Sequence, residues 1–239
     1  MDWQTDTDYI FCGQLDLAGW AWQFLRREPA YRADYANFIA LWRQLEADYG
    51  SPPKRDFFKW KQDPRAWRSE AEVSGCVTDL CPGENDHVLI ECWMGAKWGF
   101  RKFPIAPEVE FPDDLAWREF PIEVEVLDAD AFLSRSISAE NLVLKFDLSL
   151  PLPAQLEAAK RQLISARQSR CQTKTLPPRT LREGAPIWKQ WLRLLDALEA
   201  DTTLPEIARI LELNTPESEA TAAIAMRGGG YRRLLKLEQ

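Results

Sequence analysis

Pro29 constrains this chain more than any other residue. It separates two runs of apolar residues that each follow helical spacing, Leu17, Ala21, Phe24 and Leu25 before it and Tyr31, Tyr35, Phe38, Leu41 or Trp42, Leu45 and Tyr49 after it. Proline disfavours helix at the preceding residue, so the chain turns at Glu28 and the two runs form a helical hairpin. The second run stops at Gly50, Ser51, Pro52 and Pro53, residues that end helices. Across the turn, GWAWQFLRREPAYRADY (residues 19–35) crowds aromatic side chains together with Arg26, Arg27 and Arg32. Such a stretch can be a ligand box, a stacking surface for single-stranded nucleic acid, or packing between helices. Helical phasing favours packing and predicts that Trp22, Phe24, Tyr35, Phe38 and Trp42 are interior or interface residues. The acids nearby weigh against stacking on nucleic acid.

Charge is distributed unevenly. The net charge is −7 over 239 residues, but residues 1–150 hold 16 Lys and Arg against 27 Asp and Glu, residues 151–182 hold seven against one, and residues 183–239 hold seven against nine. The basic stretch begins with a good helix former at 153–170, with Leu156, Ala159, Leu163 and Ala166 on one side. Lys160, Arg161, Arg167 and Arg170 lie on it, and Lys174, Arg179 and Arg182 continue the series through a proline-containing linker at 176–186. A long basic stretch is often only a solvated face. With almost no acid to neutralise it, it also attracts phosphate and gains by releasing condensed counterions.

Between these ends the pattern changes to period two. Residues 87–94, 120–126 and 142–150 read as strands, with Glu123 and Glu125 on the wet face of the second. The resulting fold class is α+β: an N-terminal helical hairpin (1–70), a central small, mostly antiparallel sheet (71–150) and a C-terminal helical region (151–239). In the last part, Trp188, Trp191, Leu192, Leu195 and Leu198 predict a helix, and Thr203 to Glu206 reads as a capping box with Pro205 in the first turn. Leu204, Ile207, Ala208 and Leu211 have the spacing of the first helix of a helix-turn-helix, and Thr215 with Pro216 opens a second helix through Met226 that would enter the major groove. That helix starts with Glu217 and Glu219, which phosphates repel; bases resume only at Arg227, Arg232 and Arg233, around three glycines.

Enzymatic chemistry finds no support. His87 is the sole histidine, and there is no glycine-rich nucleotide loop and no HExxH pattern, so the expectation is a protein that is not an enzyme and has no cofactor. Cys12, Cys76, Cys81, Cys92 and Cys171 are an odd set, read as reduced thiols. A zinc site of Cys76, Cys81, Cys92 and His87 would lack the usual close ligand pairs, so no metal is expected either. Without a basic-then-apolar leader or a long apolar run, the expected location is the cytoplasm, with no membrane partner.

The stretch at 19–35 resembles the transcriptional regulator-like domain of proteobacterial proteins. FDLSLPLPAQLEAAKRQL (146–163), LPEIARIL (204–211) and GGGYRRLL (228–235) resemble the DNA-binding domain of RovC-type activators of type VI secretion genes. The resemblance implies an activator that binds double-stranded promoter DNA as a homo-oligomer, a hexamer in that family, with RNA polymerase or another regulator as a further partner. The family's last helix is often richer in arginine. ESEATAAIAM (217–226) departs from it, which moves the expected DNA contacts toward Lys160, Arg161, Arg167 and Arg170.

Overall fold

Asp16 starts the first helix by accepting a hydrogen bond from the Gly19 amide at 2.7 Å, satisfying one of the amides a helix start leaves unpaired. Helix α1 runs Leu17–Leu25, and α2 runs Pro29–Tyr49 with its proline in the first turn and the Glu28 carboxylate accepting from the Ala30 amide. The two expected helices and the turn between them are therefore present, and α2 ends at Gly50, whose φ is positive at 83°. These elements belong to a computed structural model that describes residues 1–69, 87–101, 103–120, 124–125, 140–172, 178 and 180–237.

A short helix, α3 (Phe57–Gln62), follows. Strand β1 (Trp67–Ser69) pairs antiparallel with β2 (His87–Leu89), with Trp67 opposite Leu89 and Arg68 opposite Val88. Among the described residues the sheet is smaller than the sequence pattern suggests. Only the first three residues of the strand expected at 87–94 are extended; from Ile90 the chain is helical, forming α4 (Ile90–Trp98). The cause is burial on nearly all sides. Ile90, Glu91, Cys92, Met94, Gly95, Ala96 and Trp98 are all inside, and a continuous apolar run suits a buried helix as well as a strand. Residues 142–150 form no strand either: Asp147 closes a turn by accepting from the Ser149 amide and hydroxyl at 2.9 and 2.6 Å. Of 120–126, only Phe120, Val124 and Glu125 are described.

Among the described residues four more helices follow, α5 (Leu152–Gln172), α6 (Leu181–Glu199), α7 (Leu204–Leu211) and α8 (Pro216–Arg227), and then a 3-10 segment, Gly230–Lys236. The linker expected at 176–186 is helical from Leu181 onward. Pro186 is the sixth residue of that helix, beyond its first turn, so the Arg182 carbonyl has no amide to bond there, and the helix nevertheless runs on through it. The capping box is absent as such, since neither Thr203 nor Thr215 makes a side-chain cap bond; the prolines that follow them set the helix starts instead.

Contacts divide the chain into two units, residues 1–121 with 181–239, and residues 122–180. This is a different partition from boundaries at 70 and 150. In the first unit α1 is the centre, packed against α6, α8 and the final 3-10 segment. Trp20 meets Trp188 edge to face at 5.5 Å, Trp22 meets Tyr31 and Phe100, and the Tyr231 hydroxyl donates to the Trp98 carbonyl at 2.7 Å. Residues near both ends of the chain thus share one core.

Gly184 shows how tight that core is. A Cβ placed there would lie 2.1 Å from Cζ2 of Trp188, so the indole occupies the space a side chain would need. Gly184→Ala should cost about 1–3 kcal/mol through overpacking despite alanine's better helix propensity. A lowered melting temperature checks this; an unchanged or raised one contradicts the packing.

Candidate nucleic-acid interface

The aromatic stretch at 19–35 is engaged within the fold. Trp22, Phe24, Phe38 and Trp42 are buried and Tyr35 partly so. Their polar neighbours grip the backbone of an irregular segment at 105–110, which turns at 106–109. Trp22 Nε1 donates to the Val109 carbonyl at 3.0 Å, Gln23 Nε2 to Glu110 at 2.7 Å, Arg26 Nε to Pro107 at 3.0 Å, and the Tyr31 hydroxyl to Ile105. A segment without its own ladder has its carbonyls satisfied in this way.

The arginines of the stretch are also committed. Arg27 is buried and donates to both carboxylate oxygens of Asp196, at 2.6 and 2.9 Å, and to the Gln23 carbonyl at 2.8 Å. The Tyr9 hydroxyl donates to the same carboxylate at 2.5 Å. Burial, together with the Asp196 charge, pushes the Tyr9 phenol well above its ordinary pKa, so it remains a donor. Arg32 pairs with Glu199. The hairpin therefore offers none of these cations to a ligand.

Helices α6, α7 and α8 pack against one another pairwise. Ile207 and Leu211 of α7 and Ala220 and Ala223 of α8 face inward, and Glu212 reverses the chain in a left-handed conformation. This is a helix-turn-helix-like arrangement. The exposed positions of α8 are Glu217, Ser218, Thr221, Ile224 and Ala225, with no base among them. Arg227 donates to Glu28 at 3.2 Å, and Arg232 donates to the Lys97 carbonyl at 2.5 Å beside the Tyr231 and Phe120 rings. Both serve the internal packing of the unit. Arg233 and Arg182 are exposed, the latter at the start of α6. Lys174 and Arg179 lie outside the described residues.

The remaining predicted contacts gather on α5. None of its residues is buried. Gln155 anchors its start by donating to the Asp147 carbonyl at 2.8 Å and accepting from the Asp147 amide at 2.8 Å. Lys160, Arg161 and Arg167 are exposed, and among the described residues none of the three is in an ion pair. Arg170 donates to the Asn141 carbonyl at 3.0 Å, which orients it at the helix end. Lys160 and Arg167 stand one heptad apart on the same face, about 10 Å along the axis. The arrangement is a rod with a line of solvated cations.

Among the described residues no group of His, Cys, Asp and Glu could hold a metal ion; Cys76 and Cys81 lie outside them. Cys12 and Cys92 are buried and Cys171 is half-buried, all as free thiols. Burial pushes the Cys12 thiol up to about 11. At pH 8 only on the order of one molecule in a thousand would carry its thiolate. Mass mapping after iodoacetamide treatment should find Cys171 modified and Cys12 intact; rapid modification of Cys12 in the folded protein would contradict its burial. No described helix is long and apolar enough to cross a membrane.

Residues 2–56 match the family model of a proteobacterial transcriptional regulator-like domain. The match spans both helices of the N-terminal part, from the 3-10 segment Asp6–Gln14 to the turn before α3, and supports a role in transcription regulation. No curated protein and no solved structure matches the chain.

Proposed function

We propose that the protein is a DNA-binding transcriptional regulator that holds promoter duplex chiefly through α5. The observation that carries this reading is the set of exposed bases Lys160, Arg161 and Arg167, in no ion pair among the described residues, on a helix with no buried residue. They occur in a chain whose N-terminal part matches a regulator-like domain. Arg170, Lys174, Arg179 and Arg182 continue the basic run along the sequence, and Arg233 is a further exposed base in the other unit. Phosphate contacts of this kind fix position without reading bases, so sequence preference comes from groove shape or from the small exposed side chains of α8.

A single patch of this size binds weakly. Assembly of several copies converts it into a linked array, and an acidic subunit can then hold a promoter tightly. The finer reading is accordingly a cytoplasmic homo-oligomeric activator, in RovC-type manner a hexamer acting on type VI secretion genes with RNA polymerase or another regulator, without enzymatic activity or a cofactor. Light scattering that returned the 27.6 kDa of one chain would remove the oligomer from it.

Exposed Leu156, Leu163 and Ile164 on the same helix favour a second reading, an adaptor or assembly protein of a secretion or mobile-element system. Salt separates the two. Gel-shift titration against a promoter and a scrambled duplex at two salt concentrations should show steep loss of binding with salt if phosphates dominate. An apolar contact to a protein should hardly respond.

A further inference from the structure

We infer that α3 and the turn before it form a second nucleic-acid contact, in which Lys54, Lys59 and Lys61 hold phosphates and Phe58 stacks on an unpaired base. The inference rests on the DNA-binding reading for its class of ligand but concerns another surface, in the compact unit that does not contain α5. Residues 51–68 hold six Lys and Arg against two Asp and Glu, a basic island that the acidic total of the first 150 residues conceals.

The fold uses part of this island to build a rigid base. The Arg55 guanidinium lies over the Trp42 and Trp60 rings at 4.4 and 3.9 Å and pairs with Glu46. Trp60 is fully buried and meets Trp42 edge to face at 4.9 Å, which fixes α3 to α2. Arg65 is held by Asp48 and Asp63. Phe58 remains outside, 75% exposed, with Phe57 at 44%. Helical phasing sets Phe58 at the middle of the solvent side of α3, opposite Trp60, with Lys61 to one side and Lys59 to the other. Lys61 sits over the Phe57 ring at 4.7 Å. Lys54 and Lys61 enter no ion pair among the described residues, and Lys59 pairs only with Asp56, both ends being solvated.

A large ring held out of the core on a fixed element gains nothing inside its own chain. Flanking cations define what suits it: a polyanion that also offers a flat apolar face. Duplex DNA satisfies the lysines but leaves the ring idle, because its bases are stacked. A single strand, or a promoter segment with bases out of the stack, satisfies both, since stacking on an aromatic side chain tolerates any base. An acidic protein surface would satisfy only the lysines.

The test uses the full chain, Phe58→Ala, and the double variant Lys59→Gln with Lys61→Gln. Probes are a labelled oligothymidine, a matched duplex, and phosphatidylcholine vesicles containing phosphatidylserine. Phe58→Ala should weaken oligothymidine binding about tenfold, with an unchanged salt slope and little effect on the duplex. The double variant should reduce the single-strand log–log salt slope by about 1.4. If Phe58→Ala binds oligothymidine like the parent chain, the inference is overturned, while duplex binding through α5 stands on its own measurement. If the parent chain fails to bind duplex but binds oligothymidine in a Phe58-dependent way, the α5 reading fails and this one stands. Phe58-dependent binding to vesicles without binding to oligothymidine would overturn it in favour of a lipid surface.

Discussion

Replacing Asp196 by alanine should destabilise the fold by about 3–5 kcal/mol, because it strands a buried charge. The Arg27 side chain is 4% exposed and that of Asp196 17%. The carboxylate takes two hydrogen bonds from the guanidinium and one from Tyr9. Truncation removes all three acceptor interactions and leaves Arg27 with Gln23, through its carbonyl and side-chain oxygens, and a long contact to the Met1 sulfur. For a chain of this size the melting temperature should fall by on the order of 10 °C. Tyr9→Phe, which leaves the ion pair in place, should cost only about 1 kcal/mol. The pair also joins two distant parts of the sequence. Arg27 lies inside the regulator-like match and Asp196 lies in α6, so the alanine variant tests whether the C-terminal helices complete the hairpin's core. A variant with an unchanged denaturation midpoint would show that they do not.

The parts of the structure that were legible in the sequence are those fixed by local rules. Pro29 and the phasing of Tyr31, Phe38, Trp42 and Leu45 were enough for the hairpin, since a proline and a helical stripe act within a few residues. Pro216 located the start of α8 in the same way. Long-range closure was not legible. Nothing in the neighbourhood of Arg27 indicates a carboxylate 169 positions away, and an arginine beside Glu28 and Asp34 reads as a surface residue. Residues 90–98 misled for a different reason: burial on nearly all sides erases the periodicity that separates strand from helix. At 142–150 the alternation is real, but the turn at Asp147 interrupts it and Leu148 is 87% exposed, so alternation there reflects no sheet.

Charge was legible in one place and concealed in another. The stretch at 151–182 stood out because it has one acid, and α5 displays its bases as the sequence suggests. Arg227 and Arg232 looked equivalent to them in sequence, yet Glu28 and the Lys97 carbonyl occupy them, contacts made only once the C-terminal segment folds back on the turn before α2 and on α4. The island at 51–68 was lost by summing over too long a window. A count over about twenty residues would have found it, together with the exposed pair Phe57 and Phe58.

Neutralising two bases of α5, Arg161→Ala with Arg167→Ala, is expected to weaken binding to promoter and scrambled duplex alike and to reduce the log–log salt slope by about two. Each arginine that contacts a phosphate contributes about one to that slope, through the counterions it releases. Between low and physiological salt, the loss of two contacts should lower affinity by about one to two orders of magnitude. Stability should hardly change, because both side chains are exposed and α5 has no buried residue to disturb. This combination separates the roles open to a basic helix. A base-reading residue would cost about 1–3 kcal/mol at the cognate site and leave the scrambled duplex almost unaffected. A solvated face would leave both affinities and the slope as they are. A protein-docking helix would leave DNA binding intact, while Leu156→Ser with Leu163→Ser would abolish partner capture. Parallel loss on both duplexes, with an unchanged melting temperature, is the one pattern that phosphate contact alone produces, and an unchanged salt slope in the double variant would remove α5 from the DNA interface.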